Sequence, residues 1–331
     1  MPVLTSKLFF LPLLALGVNA PALADSSDTV DRAALAAELA AQNGLSSEQI
    51  LPLLSKAKYQ QSIIDAITRP AEAKPWSAYR PIFMTEARIR DGRRFLAEHQ
   101  QALAAVETET GVPAELIAAI IGVETNYGKI TGSYRVLDAL YTLGAHYPPR
   151  QTFFRSELAH VFVLANEEQL SLDEIKGSYA GAMGWGQFMP SSYRHYAKDG
   201  DGDGRRDLFG SLPDIFASVA NYFVAHGWQS GQPVALPAQW PGEQAPPKSS
   251  GLKPEFTVAA LRDAGVAWQG ELSDEMPATV LTLDGKDGPE YWLTFDNFYV
   301  ISRYNRSPLY SMAVLQLAQA LADQGQLAQV P

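Results

Sequence analysis

Apolar positions recur at helical spacing through most of the chain. Leu35 and Leu39 lie four apart, and Ile89, Leu96, Leu103 and Val106 form one stripe of a longer segment. Residues 29–109 therefore read as helical, punctuated by Pro52, Pro70, Pro75 and Pro81. A second helix opens at Pro113, which a first turn tolerates because its missing N–H would have no partner there, and runs over residues 114–126. Another carries Leu158, Val161, Phe162 and Ala165 on one face. Ser307 as N-cap and Pro308 at the first position open a last helix, whose Tyr310, Ala313, Val314, Leu317 and Leu321 share a face that must pack on other helices. Between these, the proline-rich stretch 232–254 reads as a connector or irregular subdomain. Residues 279–283 and 291–295 are β-rich runs flanking Asp284-Gly285-Lys286-Asp287-Gly288, a hairpin signal with a longer loop. The pattern predicts a mainly α (α+β) protein with one small β-containing insertion.

Composition narrows what such a protein does. The chain has 331 residues, 26 Lys plus Arg against 36 Asp plus Glu, a net charge of -10, 47% hydrophobic residues and no cysteine. That length suits about two domains with cores of their own. Disulfides, thiol chemistry and thiolate zinc sites are excluded. Phosphate backbones are bound by clustered Lys and Arg, which are missing, so no nucleic-acid partner is expected. His99, His146, His160, His195 and His226 show no metal-ligand spacing, and no nucleophile elbow or phosphate-binding glycine loop occurs. At the start, Lys7, an apolar run over residues 8–18 and the small-x-small triplet Ala22-Leu23-Ala24 read as an export signal cleaved after Ala24. The run is shorter than the roughly 20 apolar residues that span a bilayer. A soluble exported protein follows, periplasmic in a Gram-negative cell, with no stable membrane anchor.

Three features carry candidate chemistry. Glu124 lies three, four and seven residues after Ile121, Ile120 and Ile117, so it shares their helical face. Desolvation there disfavours the anion and suits a proton donor near neutral pH, although a buried ion pair or a carboxylate turned to solvent fits the same pattern. Residues 177–193 set four glycines among Tyr179, Trp185, Gln187 and Phe188, as a backbone approaching a flat polar ligand such as a sugar would require, or simply a tight packing loop. Trp76, Tyr79, Tyr222, Tyr304 and Tyr310 enlarge the aromatic supply. Third, Asp199, Asp201, Asp203 and Asp207 occupy positions 1, 3, 5 and 9 of an EF-hand-like loop, with Gly204 at the turn and the Arg205 carbonyl at position 7. Position 12 is Gly210, so Asp214 is the best closing carboxylate. A solvated acidic turn, with Asp214 as a helix cap, is the alternative. Oxygen donors of this kind suit structural Ca2+ rather than a catalytic transition metal.

Gly122-Val123-Glu124-Thr125-Asn126-Tyr127-Gly128, the segment 181–193, Ser218-Val219-Ala220-Asn221-Tyr222-Phe223 and Arg303-Tyr304-Asn305 occur in order across most of the chain. In combination they resemble the lytic murein transglycosylase B family. The resemblance implies a lysozyme-like helical core with an N-terminal helical region and a small additional β-containing subdomain. Accordingly, residues 25–110 are expected as the N-terminal domain, 111–231 with 296–331 as the core including the acidic loop 199–214, and 232–295 as the connector and subdomain. It implies cleavage of the β-1,4 bond between N-acetylmuramic acid and N-acetylglucosamine in peptidoglycan strands, leaving a 1,6-anhydro-muramoyl end, with no cofactor for catalysis. Glu124 would be the single acid and base. Ordinary glycosidases use two carboxylates; the family relies on the substrate's N-acetyl group, although Asp138 could still converge on the site. Ser178 and Gln187 would hydrogen-bond substrate, while Tyr79, Tyr222, Tyr304, Asn305 and Tyr310 would line the groove. Arg150 would meet an anionic muramoyl group, next to Pro149 where relatives often have a second arginine. The resemblance also supports a lengthened acidic loop closing on Asp214. A hydrolytic muramidase of the same fold and a catalytically silent peptidoglycan-binding protein are the alternatives.

Overall fold

The computed structural model describes residues 30–69 and 74–322; the expected export signal lies outside them. The described residues form two compact units, one drawing on 30–69 and 124–218, the other on 74–123 and 219–322. This division differs from the expected one. The helix Arg32–Asn43 buries Leu35 and Leu39 and packs on Gln151–Glu167, whereas Trp76–Phe83 and Glu86–Glu98 pack on Pro308–Ala322. The first helices thus fall in both units.

In the unit containing residues 124–218, Asp31 caps the first helix by accepting from Ala33 and Ala34 N–H, and Ser46 with Gln49 forms a capping box on Ser47–Leu54. Helices Val136–His146 and Gln151–Glu167 form its centre, with Pro190–Tyr196 packed on the latter. Asp138 is 4% exposed and accepts from Lys58 N (2.8 Å), Gln60 Nε2 (2.9 Å) and Arg135 Nη2 (2.5 Å). A buried carboxylate with its acceptor capacity so committed is a structural tie, not a second catalytic carboxylate.

The other unit joins helices to the β element. Its sheet has five strands in the order Phe256–Thr257, Pro277–Asp284, Pro289–Thr294, Ala235–Gln239, Ala267–Trp268, with antiparallel neighbours. The expected hairpin is present, with Asp284 paired to Pro289. The proline-rich stretch holds more order than its composition predicts: Ala235–Gln239 is an inner strand, and Pro237 lies where only Pro289–Thr294 pairs with it, since Ala267–Trp268 pairs with Ala238 and Gln239 alone. Val258, Leu261, Val266, Ala278, Val280, Leu293 and Phe295 form the core beneath. The last helix, Pro308–Ala322, was expected to bury one face; instead every residue from Tyr310 to Ala318 is buried. Such a helix is enclosed on all sides rather than amphipathic.

Candidate active site and acidic loop

Glu124 sits in the last turn of the helix Ala114–Thr125. Residues 116–123 are all buried, so the isoleucine face does not single out Glu124; position at the helix end does, leaving it partly exposed where its neighbours are not. The helix stops abruptly. Asn126, Tyr127 and Gly128 follow with φ of 51°, 58° and 79°, all left-handed. L residues pay about 1–2 kcal/mol each for that conformation. Thr125, 1% exposed, spans the bend: its Oγ1 accepts from Gly128 N (3.1 Å) and donates to the Trp185 carbonyl (3.0 Å).

Trp185 lies at the tip of a tight turn. Met183 and Phe188 exchange N–H···O bonds of 2.9 Å, with Gly184 (φ 68°) and Gln187 (φ 51°) left-handed between them. The amide of Gln187 spends its Nε2 on the carbonyls of Thr131 (3.0 Å) and Gly184 (2.9 Å), so it braces the turn. The Ser178 hydroxyl accepts from Ala180 N (3.3 Å) and Ala182 N (3.1 Å), which leaves its own proton to be donated elsewhere. Of the two readings of this segment, packing loop and ligand loop, the geometry contains both: a braced backbone carrying a hydroxyl with a spare donor.

Arg150 closes the short helical turn Pro148–Arg150, half-buried, with its guanidinium 4.1 Å from the Phe153 ring centre and 4.9 Å from that of Phe154. Burial lowers its pKa from the ordinary arginine value, opposed by the acidic neighbours Tyr147, Tyr179 and Glu157. Glu157 itself escaped the sequence reading. It is 3% exposed, and its two oxygens accept from Ser191 N (2.9 Å) and Ser191 Oγ (2.7 Å), anchoring the helix that follows the glycine-rich turn. Burial pushes its carboxyl above the usual range, against the pull of Ser191, Arg150 and His195. The signal was available: Glu157 lies three residues after Phe154 and four before Val161, on a buried stripe, the same criterion that singled out Glu124.

In the acidic loop, carboxylate oxygens of Asp199, Asp201 and Asp203 lie within 4.8 Å of one another. Asp199 also gathers the amides of Gly202 (2.7 Å), Asp203 (3.2 Å) and Gly204 (2.8 Å), which hold its carboxyl below the ordinary value. Three converging hard oxygens fit a divalent cation such as Ca2+. Asp207 and Asp214 do not join that cluster. Asp214 accepts from Gly200 N (2.7 Å) and Asp207 N (2.6 Å), and Asp207 Oδ1 from Phe209 N (2.8 Å) and Gly210 N (3.0 Å). Arg205 N donates to Asp203 Oδ1 (2.8 Å). Arg206 is bound on its far side by Glu168, through its amide (2.9 Å) and guanidinium.

The expected aromatic residues of the other unit divide by burial. Tyr222 and Tyr304 are partly exposed, 4.8 Å apart between ring centres; Tyr222 donates its hydroxyl to the Arg303 carbonyl (2.7 Å) and stacks on His226 at 4.2 Å. Asn305, also partly exposed, accepts from Ser307 N (3.1 Å) just before the last helix. Tyr79 and Tyr310 are 3% and 0% exposed, so neither offers a ring face on which a sugar could stack. Tyr79 packs between Trp76 and Phe83, and Tyr310 is enclosed in the core, in keeping with its place on the packing face of the last helix.

One partly buried carboxyl group, held at a strained helix end beside a braced polar turn, is equipment for acid–base chemistry on an uncharged bond. The family model for the transglycosylase SLT domain matches residues 28–319. Membrane-bound lytic murein transglycosylase B of Escherichia coli K12 is 41% identical over 291 residues, covering 85% of this chain and 80% of that protein. Three solved structures align as follows. Catenated lytic transglycosylase SltB1 of Pseudomonas aeruginosa has a TM-score of 0.84 at 47% identity, over 90% of this chain and 99% of that one. Escherichia coli lytic transglycosylase Slt35 in complex with calcium has 0.80 at 40%, over 90% and 94%. SltB3 of Pseudomonas aeruginosa in complex with NAG-anhNAM-pentapeptide has 0.78 at 30%, over 89% and 79%. The chain belongs to the SLT-domain family of lytic murein transglycosylases and is a peptidoglycan lytic transglycosylase with a lysozyme-like fold. No helix among the described residues is long and apolar enough to cross a membrane.

Proposed function

We propose that Glu124 is the single acid and base for cleavage of the β-1,4 bond between N-acetylmuramic acid and N-acetylglucosamine, with a 1,6-anhydro-muramoyl end as product. The carboxylic acid gives its proton to the glycosidic oxygen as the C1–O4 bond breaks. Charge developing at C1 is met by the substrate's own N-acetyl group. The carboxylate then takes the C6 hydroxyl proton as that oxygen bonds to C1, so Glu124 returns to its starting state and no water is consumed. The observation that carries this reading is the placement of Glu124 at a helix end, partly exposed while residues 116–123 are buried, next to the Thr125 contact with the braced turn at Trp185. Asp138, the second carboxylate that the sequence left open, is committed to structural hydrogen bonds.

Ser178 donates to a substrate oxygen with its spare proton, Gln187 holds the turn that presents it, and Arg150 meets an anionic muramoyl substituent. Tyr222, Tyr304 and Asn305 offer partly exposed surface to the glycan, with Tyr79 and Tyr310 supporting from the core. Asp199, Asp201 and Asp203, with the Arg205 carbonyl, Asp207 and Asp214 recruited on binding, hold a structural Ca2+. The chain is exported to the periplasm and cleaved after Ala24. Mass spectrometry of muropeptides released from purified peptidoglycan tests the chemistry: anhydro-muramoyl products that vanish with Glu124→Gln are expected. Reducing-end products would make the enzyme a hydrolase, and absence of any product with retained glycan binding would make it a binding protein.

A further inference from the structure

The bend after Glu124 raises a question that the catalytic reading leaves open: what holds a carboxylate steady on a backbone that departs from the helix into three successive left-handed residues? Asn tolerates that conformation, but Tyr127 does so only against about 1–2 kcal/mol of steric cost. Strain of this kind persists where the surroundings over-determine it. Here they do so through two side chains. Thr125 Oγ1 accepts from Gly128 N (3.1 Å) and donates to the Trp185 carbonyl (3.0 Å), while Ile130 N donates to the Thr125 carbonyl (2.9 Å). Trp185 is fixed in turn by Leu208 and Phe209: its backbone N–H reaches the Leu208 carbonyl (3.1 Å) and its indole Nε1 the Phe209 carbonyl (3.1 Å). The indole lies flush on the bend, so that a β-carbon at position 128 would come within 2.4 Å of Trp185 Cζ2. The chain of contacts runs from Leu208 and Phe209, within the acidic loop, through one indole, to the residue adjoining Glu124.

We propose that Thr125 and Trp185 are positioning residues for Glu124, which lock the helix-ending bend and thereby set where the carboxyl group points. The proposal rests on Glu124 being the acid and base, and deepens that reading. Neither residue needs to touch substrate. Displacement of a reacting group by about 1 Å costs up to roughly 100-fold in rate, so loss of the lock falls on kcat.

The test uses the mature protein and a soluble glycan strand, with Thr125→Val, Thr125→Ser, Trp185→Phe and Glu124→Gln compared. Thr125→Val keeps the shape and removes both hydrogen bonds; Thr125→Ser keeps them and loses a methyl group. Trp185→Phe keeps an aromatic ring and removes the Phe209 bond. Expected are a fall in kcat of about 10- to 100-fold for Thr125→Val, KM within about twofold, a displaced pH profile of kcat, near-complete rescue in Thr125→Ser, and an intermediate loss in Trp185→Phe. Urea unfolding of each variant confirms that the proteins assayed are folded. An unchanged kcat in Thr125→Val, an unmoved pH profile, or failure of Thr125→Ser to rescue would overturn the proposal. Glu124→Gln separates the two claims: if it is inactive while Thr125→Val behaves as the parent, only the positioning role falls; if it is active, the catalytic assignment itself falls.

Discussion

Two stretches that look alike in sequence, both rich in glycine or proline and poor in periodicity, fold by different physics. Residues 177–214 are organised by side chains that collect backbone amides: Ser178 takes two, Asp199 three, and Asp207 and Asp214 two each. Residues 235–295 are organised by an apolar core around Leu261, Val280 and Leu293, with a regular antiparallel ladder above it. Hydrogen bonds are directional, and a stranded buried partner costs its full desolvation, whereas apolar burial is graded and forgiving of shape. The first stretch should therefore be brittle toward conservative change and the second tolerant of it.

The sharpest contrast comes from Asp214. Asp214→Ala removes the charged acceptor shared by the Gly200 and Asp207 amides, at about 1.5–3 kcal/mol for each bond, for a loss near 4 kcal/mol in urea unfolding performed with chelator so that no cation contributes. Asp214→Asn keeps one acceptor oxygen and is expected to lose about half of that. In the sheet, Leu293→Ala costs about 3 kcal/mol through its cavity, but Leu293→Met costs less than about 1.5 kcal/mol. If Leu293→Met proved as damaging as Asp214→Asn, the distinction between the two regions would fail.

A cation sharpens the same comparison. On the proposed reading, Ca2+ held at Asp199, Asp201 and Asp203 would stabilise the folded state by about 2.7 kcal/mol at a hundred times its Kd. Calorimetry should show Tm rising with added Ca2+, the rise disappearing in Asp201→Asn and remaining intact in Leu293→Met. A rise that survived Asp201→Asn would place the cation elsewhere.

What the sequence made legible follows the same division. Helices were readable because apolar spacing reports a buried face, and the Asp284–Gly288 turn marked its hairpin because the runs on either side are rich in β-branched and aromatic residues. The strand Ala235–Gln239 was not, because prolines masked a segment whose place is fixed by partners distant in sequence. The enclosure of Pro308–Ala322 was likewise invisible: a face count cannot say that other helices cover the remaining sides. At the site, Glu124 was legible by pattern, but the reason it stands out, the helix end and the left-handed bend, depends on Thr125 and Trp185 meeting across sixty residues. Tyr310, which shares the packing face of its helix, is buried as that face requires. Glu157 followed a rule already in hand and was simply masked by the more conspicuous glycine-rich segment it anchors.

Glu157 yields the smallest effect and the most specific one. Its carboxyl is raised above the ordinary carboxylate range, chiefly by burial, with Ser191, Arg150 and His195 pulling the other way. A group whose folded pKa is raised favours the folded state fully below its unfolded pKa, and that contribution is lost as pH rises through the folded value. Glu157→Gln removes the titration while keeping an acceptor for Ser191 N, and the Ser191 hydroxyl can rotate to accept from the new amide. The parent should therefore be relatively more stable near pH 4 and lose ground against Glu157→Gln toward neutrality, by about 1 kcal/mol for each unit of pKa displacement. Urea midpoints measured at several pH values for both proteins give the answer. Parallel curves would mean that Arg150 and His195 fully offset burial, and Glu157 would then join the residues that hold this region together at no electrostatic cost.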